Sequence, residues 1–145
     1  MMEGLARKEL EDKEQILIAY YTQYYMGGGY DDLKRLDQHL AQQIGEDRYA
    51  AVMKELESEG LIFGMEQVEA REKAGEDSPM ATNEGMLAVH SILNLQSESI
   101  ENHQLDYLKN HLKTSNLKFT LEPVETYIYK TIEEKAQQKH NENSP

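Results

Sequence analysis

The sequence contains no cysteine and no tryptophan, and only 3 prolines and 2 phenylalanines among its 145 residues. Without cysteine there is no disulfide bond, no thiolate metal ligand and no thiol nucleophile. No segment approaches the roughly 18 apolar residues that a membrane-spanning helix needs, so we expect no membrane insertion. The N-terminal residues are charged and lack the apolar centre of a secretory signal, which predicts a cytoplasmic protein.

Basic residues are scarce as well: 15 Lys and Arg stand against 27 Asp and Glu, and the net charge is -12. Residues 1–97 alone hold 9 Lys and Arg and 19 Asp and Glu. Because DNA affinity comes largely from basic side chains that neutralise phosphates, this charge opposes DNA binding. The protein must therefore gather its few bases on one face or bind another kind of partner.

The sequence is rich in the apolar periodicity of amphipathic helices. It predicts helix one at residues 8–26, helix two from Tyr30 or Asp31 to the turn at Gly45, and helix three at Asp47–Ser58. Gly60 is placed to end helix three, because glycine adopts the left-handed conformation that often follows a helix. We expect the helices to share one core. The residues predicted to be buried in it are Ile16, Tyr20, Leu36, Leu40, Val52, Leu56, Ile62 and Leu93.

A run rich in β-forming residues follows helix three and predicts a strand at Leu61–Met65. The polar run Gln67–Asp77 predicts the tip of a hairpin, with a short returning strand at Ser78–Met80. Thr82 is suited to cap a helix that extends to about Leu95. A helix followed by a hairpin is typical of a winged helix-turn-helix. The predicted fold class is therefore mainly α with a small β-hairpin (α+β).

The C-terminal third predicts two further helices, at residues 100–113 and at Glu122–Gln137. We therefore predict a winged-helix domain at residues 8–95 and a C-terminal helical extension at residues 98–137 that packs on the domain or forms a dimer. Residues 138–145 are polar and are predicted to be a disordered tail.

Two segments resemble a known family: residues 50–64, AAVMKELESEGLIFG, and residues 80–93, MATNEGMLAVHSIL. They resemble the YjcQ family of small bacterial and phage-related proteins, in which a Thr-x-x-Gly helix start follows a hairpin. Thr82 and Gly85 match that start. The resemblance implies a winged helix over roughly residues 14–95 and no clear common activity. The chain departs from the family in its triple-glycine loop and its C-terminal extension.

A winged helix most often binds DNA, which predicts a transcriptional regulator that acts as a dimer. Helix three would be the recognition helix, with Arg48 and Lys54 reaching a base edge or a phosphate. The alternative for these two side chains is an exposed face on which they pair with neighbouring acids. The six candidate DNA-binding residues are Lys34, Arg35, Arg48, Lys54, Arg71 and Lys73.

A second functional class fits the net charge. In this alternative the chain is an acidic winged-helix module whose acidic face suits a basic protein partner and which does not bind DNA. A continuous positive strip around helix three and the hairpin would favour the regulator. Bases scattered over separate faces would favour the interaction module.

Helix one and the loop that follows it are rich in tyrosine. Tyr24 and Tyr25 are adjacent, so both cannot face the same core. Tyrosine is enriched at protein interfaces, and the C-terminal helices carry apolar stripes, so we expect a homodimer. The alternative is that the C-terminal helices fold back as additional core. The predicted interface consists of Tyr20, Tyr21, Tyr24, Tyr25, Leu105, Leu108, Leu112, Tyr127 and Ile128.

Motifs for catalysis or metal binding do not occur in the sequence. The five histidines are scattered without the short spacing of a zinc site. Gly27, Gly28 and Gly29 link two predicted helices and do not follow a strand, so they do not form a dinucleotide-binding loop. We expect no enzyme activity, no cofactor and no metal.

Overall fold

The computed structural model describes residues 9–26, 29–76, 79–95, 104–114 and 117–143. Its two short strands pair in parallel, with Glu9 opposite Lys118 and Leu10 opposite Phe119. The mainly helical fold with a small β component is confirmed. The elements are β1 (Glu9–Leu10), α1 (Asp12–Tyr25), α2 (Tyr30–Ile44), α3 (Glu46–Ser58), α4 (Met65–Lys73), α5 (Asn83–Leu93), α6 (Gln104–Thr114), β2 (Lys118–Phe119) and α7 (Glu122–Asn143).

Helix α1 lies at the centre of the fold. It contacts α2, α3, α5 and α7, and every residue from Gln15 to Gln23 is buried. The predicted core is confirmed, because all of its members are buried in one cluster with α1. These members are Ile16, Tyr20, Leu36, Leu40, Val52, Leu56, Ile62 and Leu93.

Buried polar side chains of α1 hold the C-terminal part of the chain in place. Gln15 Nε2 donates to Thr120 Oγ1 at 2.6 Å, and Gln15 Oε1 accepts from the Leu121 N–H at 2.8 Å. At the other end of the helix, Gln23 Oε1 accepts from the Tyr127 hydroxyl. These hydrogen bonds satisfy polar groups that would otherwise destabilise the core. They also fix the segment after β2 and the start of α7 on α1.

The ends of α3 and α5 are set by local sequence, as predicted. Gly60 has a φ of 76°, and the Leu61 N–H donates to the Leu56 carbonyl at 3.0 Å, which closes α3 in a Schellman motif. Thr82 Oγ1 accepts from the Gly85 N–H at 2.9 Å and caps α5. A Cβ on Gly85 would collide with the Leu61 carbonyl oxygen, so α5 can approach this turn closely only with glycine there.

The predicted hairpin is wrong in its extent. Ile62 and Ala81 form a single antiparallel bridge, and the polar run after it is helix α4. This helix is stabilised by contacts distant in sequence, because Val68 is buried and Glu72 accepts from the Tyr30 N–H at 2.6 Å. A helix packed on α2 therefore takes the place of most of the predicted hairpin tip. Asp77 of the predicted tip and Ser78 of the predicted returning strand lie outside the described residues.

The described part of the C-terminal extension belongs to the same core as α1. Helix α7 contacts α1, α2 and α6, and its residues Val124, Ile128 and Ile132 are buried. Helix α7 continues past the predicted end at Gln137 to Asn143, so most of the predicted tail is helical. The predicted boundary at residues 96–98 and the start of the helix predicted at residues 100–113 lie outside the described residues.

Candidate functional site

Three of the six candidate DNA-binding residues form surface ion pairs with acids of the same chain. A paired base neutralises a phosphate only after its carboxylate has been displaced, which weakens the case for DNA contact. The pairs are Arg35 with Asp32 at 2.5 Å, Lys73 with Glu69 at 3.5 Å, and Arg48 with Asp12.

The candidate bases do not all line one groove. Arg35 lines a groove between α2 and α7, whereas Lys54 lines a groove between α2 and α3. The Arg71 guanidinium lies over the ring of Phe63, 4.6 Å from its centroid. Lys34 is exposed on α2. Arg35 and Lys54 therefore lie in different grooves, whereas Arg71 contacts a residue that also lines the groove of Lys54.

The predicted interface lies largely inside the single chain. Five of its nine residues are buried, and a buried side chain contacts a second copy only if the core opens. This placement corrects the prediction for these five. The C-terminal helices follow the alternative, in which they fold back as additional core. The five residues are Tyr20, Tyr21, Leu108, Leu112 and Ile128.

The other four predicted interface residues are partly exposed. Tyr24 and Tyr25 contact each other edge to face, with ring centroids 5.2 Å apart. Leu105 and Tyr127 pack against the core from outside it. Burial raises the pKa of Tyr127 to about 12, so its phenol stays neutral at physiological pH.

The groove between α2 and α3 combines an apolar floor with an acidic rim, and we call it the α2–α3 groove. Its volume is about 450 Å³, which lies within the range of roughly 300–1,000 Å³ typical of ligand sites. The rim carries Asp37, Glu46 and Glu57 and one base, Lys54. The apolar side chains that line it are Ala41, Tyr49, Ala50, Met53, Ile62, Phe63, Met65 and Met80.

Three methionines contribute to the apolar floor of the groove. Met53, Met65 and Met80 come from α3, the start of α4 and the segment before α5. Methionine is flexible and polarisable, and it is frequent on surfaces that accept apolar side chains of varied shape. The sequence alone did not identify the groove, because its lining combines α2 and α3 with residues 62–65 and Met80, which meet only in the folded chain.

A chain of hydrogen bonds leads from the core to the rim of the groove. Tyr20, which is buried, is hydrogen-bonded through its hydroxyl to the hydroxyl of Tyr49, and Tyr49 donates to Asp37 Oδ1 at 2.8 Å. A carboxylate only accepts, so Tyr49 donates to Asp37 and accepts from Tyr20. Burial raises the pKa of both phenols, which keeps them protonated as donors.

The groove between α2 and α7 is larger, at about 750 Å³, but its charges are mixed. Arg35 and Lys130 share it with Asp32, Glu122 and Glu134. Since Arg35 is already paired with Asp32, this groove does not favour a ligand of either charge. The α2–α3 groove therefore has the clearer chemistry.

His90 is a partly buried polar residue that the sequence did not indicate as a site. Its Nε2 lies 2.8 Å from the Tyr21 hydroxyl, and its Nδ1 is buried with no hydrogen-bond partner among the described residues. Burial lowers the pKa of His90 from the usual value, because the charged imidazolium would lose its hydration. This position favours a neutral ring.

Among the described residues, no group of three or more His, Asp or Glu side chains is arranged to hold a metal ion. None of the described helices is both long enough and apolar enough to cross a membrane. No protein-family model matches the chain, and comparisons with curated proteins and with solved structures give no significant match.

Proposed function

We propose that the protein is an interaction module that binds a basic, amphipathic segment of another protein in the α2–α3 groove. The observation that carries this proposal is the methionine-rich floor bordered by Asp37, Glu46 and Glu57. An amphipathic helix binds such a groove by inserting apolar side chains while its polar face meets the rim. Acids on the rim fit a partner whose polar face carries lysine or arginine.

The net charge of the whole chain supports the same partner class. At -12, the protein attracts basic segments over a distance and repels nucleic acids. This attraction raises the association rate most at low salt, because ions screen it within about 10 Å at 0.1 M. We therefore expect binding to weaken as salt rises, while the apolar contacts in the floor maintain part of the affinity.

The test is a fluorescence-anisotropy titration with a labelled amphipathic peptide built from leucine and lysine. We expect saturable binding by the wild-type protein and none to a peptide in which glutamate replaces every lysine. A scrambled peptide of the same composition separates groove binding from simple charge attraction. Equal affinity for the scrambled and amphipathic peptides would contradict the proposal.

Two neighbouring alanines of α3 provide a matched pair of variants. Ala50 and Ala51 are both exposed, but only Ala50 is among the residues that line the groove. Ala50→Trp fills the groove without replacing a core residue, so we expect it to reduce affinity by a factor of roughly ten or more, the effect of losing an apolar anchor. Ala51→Trp adds the same side chain beside the groove and should leave affinity unchanged.

DNA binding by a dimeric regulator is the second candidate. Its support is the helical order α1–α2–α3 with the Ile62–Ala81 bridge after it, an arrangement related to a helix-turn-helix. A DNA titration at two salt concentrations tests it, since each neutralised phosphate adds about 0.9 to the log–log salt slope. Absence of retention on DNA at about 50 mM salt would eliminate this candidate.

A further inference from the structure

Asp37 differs from the other acids on the rim of the α2–α3 groove. Glu46 and Glu57 are exposed on α3, whereas Asp37 is partly buried and accepts from the Tyr49 hydroxyl. The hydrogen bonds from Tyr20 through Tyr49 end on Asp37 Oδ1. Asp37 is thus the rim acid whose carboxylate is held in one orientation by the core.

The second carboxylate oxygen of Asp37 is available to a partner. Within the described part of the chain, Oδ2 has no hydrogen bond or ion pair, although Asp37 lines the groove. A carboxylate held in place loses little conformational freedom when it binds a cation, so its contact is stronger than that of a mobile surface glutamate. Its position beside the apolar floor also reduces screening by water.

We propose that Asp37 determines specificity by pairing with a lysine or arginine that lies next to the apolar anchor of the bound segment, and that Tyr49 is its positioning residue. This inference rests on the proposed function of the groove. The partner is therefore defined by one required cation at a fixed distance from its anchor, in addition to a general basic character.

The test uses the leucine–lysine peptide and a series in which each lysine in turn is replaced by glutamine. Asp37→Asn keeps a carbonyl oxygen that accepts from Tyr49 and removes only the charge. In the wild-type protein we expect one replacement to weaken binding roughly ten-fold, the usual size of a hydrogen bond to a charged group. In Asp37→Asn the unreplaced peptide should bind roughly ten-fold more weakly, and that one replacement should have no further effect.

Glu46→Gln is the matched control for loss of a rim charge. Its carboxylate is exposed, so we expect it to weaken binding about two-fold for every peptide in the series. If Asp37→Asn likewise weakens all peptides by one factor, Asp37 contributes only general charge and the inference is wrong. The proposed function fails separately, if the wild-type protein does not bind the amphipathic peptide or if Ala50→Trp has no effect.

Tyr49→Phe tests the positioning role, because it keeps the charge of Asp37 and removes the hydroxyl that holds it. We expect the ratio of affinities for the lysine and glutamine peptides to fall towards the ratio in Asp37→Asn. A merely structural role for Tyr49 would lower both affinities and leave this ratio unchanged, which would contradict the positioning role. The Asp37→Asn measurements decide the specificity role even if Tyr49→Phe does not fold.

Discussion

Helices α1 and α3 are of similar length but occupy opposite kinds of environment. Residues Gln15–Gln23 of α1 are buried without interruption, whereas α3 buries only Tyr49, Val52 and Leu56 along one stripe. Helix α1 contacts four other helices, which leave only its two ends partly exposed. Helix α3 keeps a free face, and that face forms a wall of the groove. Helix α1 therefore forms the centre of the core, whereas α3 contributes the surface on which the proposed function depends.

The largest expected effect is a loss of unfolding free energy when core residues are changed to alanine. It is tested at two positions on each helix, two residues apart. Ile16 and Ile18 of α1 are both buried, so each change to Ala should cost about 2–5 kcal/mol of unfolding free energy. On α3, Leu56→Ala should cost as much, but exposed Lys54→Ala should cost less than about 0.5 kcal/mol. Urea titrations measure all four. A small effect at either isoleucine would show that α1 has a free face.

The next effect concerns a buried polar side chain of α1. Gln15→Leu leaves the Leu121 N–H without its acceptor, so we expect a loss of about 1–3 kcal/mol in the same titration. Gln38→Leu, the same change at an exposed position of α2, is the control and should be nearly neutral. If both variants lose equally little, the attachment of the chain at residues 118–121 does not depend on Gln15.

The pH dependence of the unfolding free energy tests the contact between α1 and α5, where His90 of α5 meets Tyr21 of α1. The pKa of His90 is lowered by burial in the folded state, so the unfolded state binds its proton more readily. The stability that depends on neutral His90 is complete above 6.5, the usual pKa of histidine, and is lost as the pH falls through the folded pKa. His90→Gln should reduce this loss, measured as unfolding free energy from pH 8 to about pH 5. An unchanged pH profile in His90→Gln would show that His90 does not cause the loss of stability at low pH.

The smallest effect is expected where α1 meets α3 at the surface. Lys13 Nζ lies 2.8 Å from Glu55 Oε2 and 2.9 Å from Glu59 Oε2. The hydrogen bond with Glu55 raises the pKa of Lys13, but the three side chains are exposed enough for water to screen them. Lys13→Met should lower the urea midpoint slightly, and high salt should abolish the difference. A loss as large as that of Gln15→Leu would show a much stronger contact.

Sequence analysis was successful where short-range chemistry decides the structure. The N-cap at Thr82, the glycine turn at Gly60 and the apolar stripe of α3 each depend on residues within a few positions. Helix α1 was predicted, but the burial of Gln15 and Gln23 was not, because a helix surrounded on all sides has no polar face to reveal its orientation.

Other features depend on contacts between distant parts of the chain. Helix α4 has one buried residue, Val68, and its remaining sequence looks like a polar loop. The parallel pairing of β1 with β2 joins segments more than a hundred residues apart, and two-residue strands leave no pattern to detect. The groove combines α2 and α3 with residues 62–65 and Met80, so the sequence alone did not indicate that its acids surround an apolar floor.

The attachment of residues 118–132 to α1 has a consequence for synthesis on the ribosome. Helix α1 is translated before its partners on that segment, because the hydrogen-bond partners of Gln15 and Gln23 lie 106 and 104 residues further along the chain. Until α7 has left the exit tunnel, α1 lacks its packing against that helix, and apolar residues of the incomplete core can aggregate. The nascent chain therefore completes its folding only after α7 has been translated.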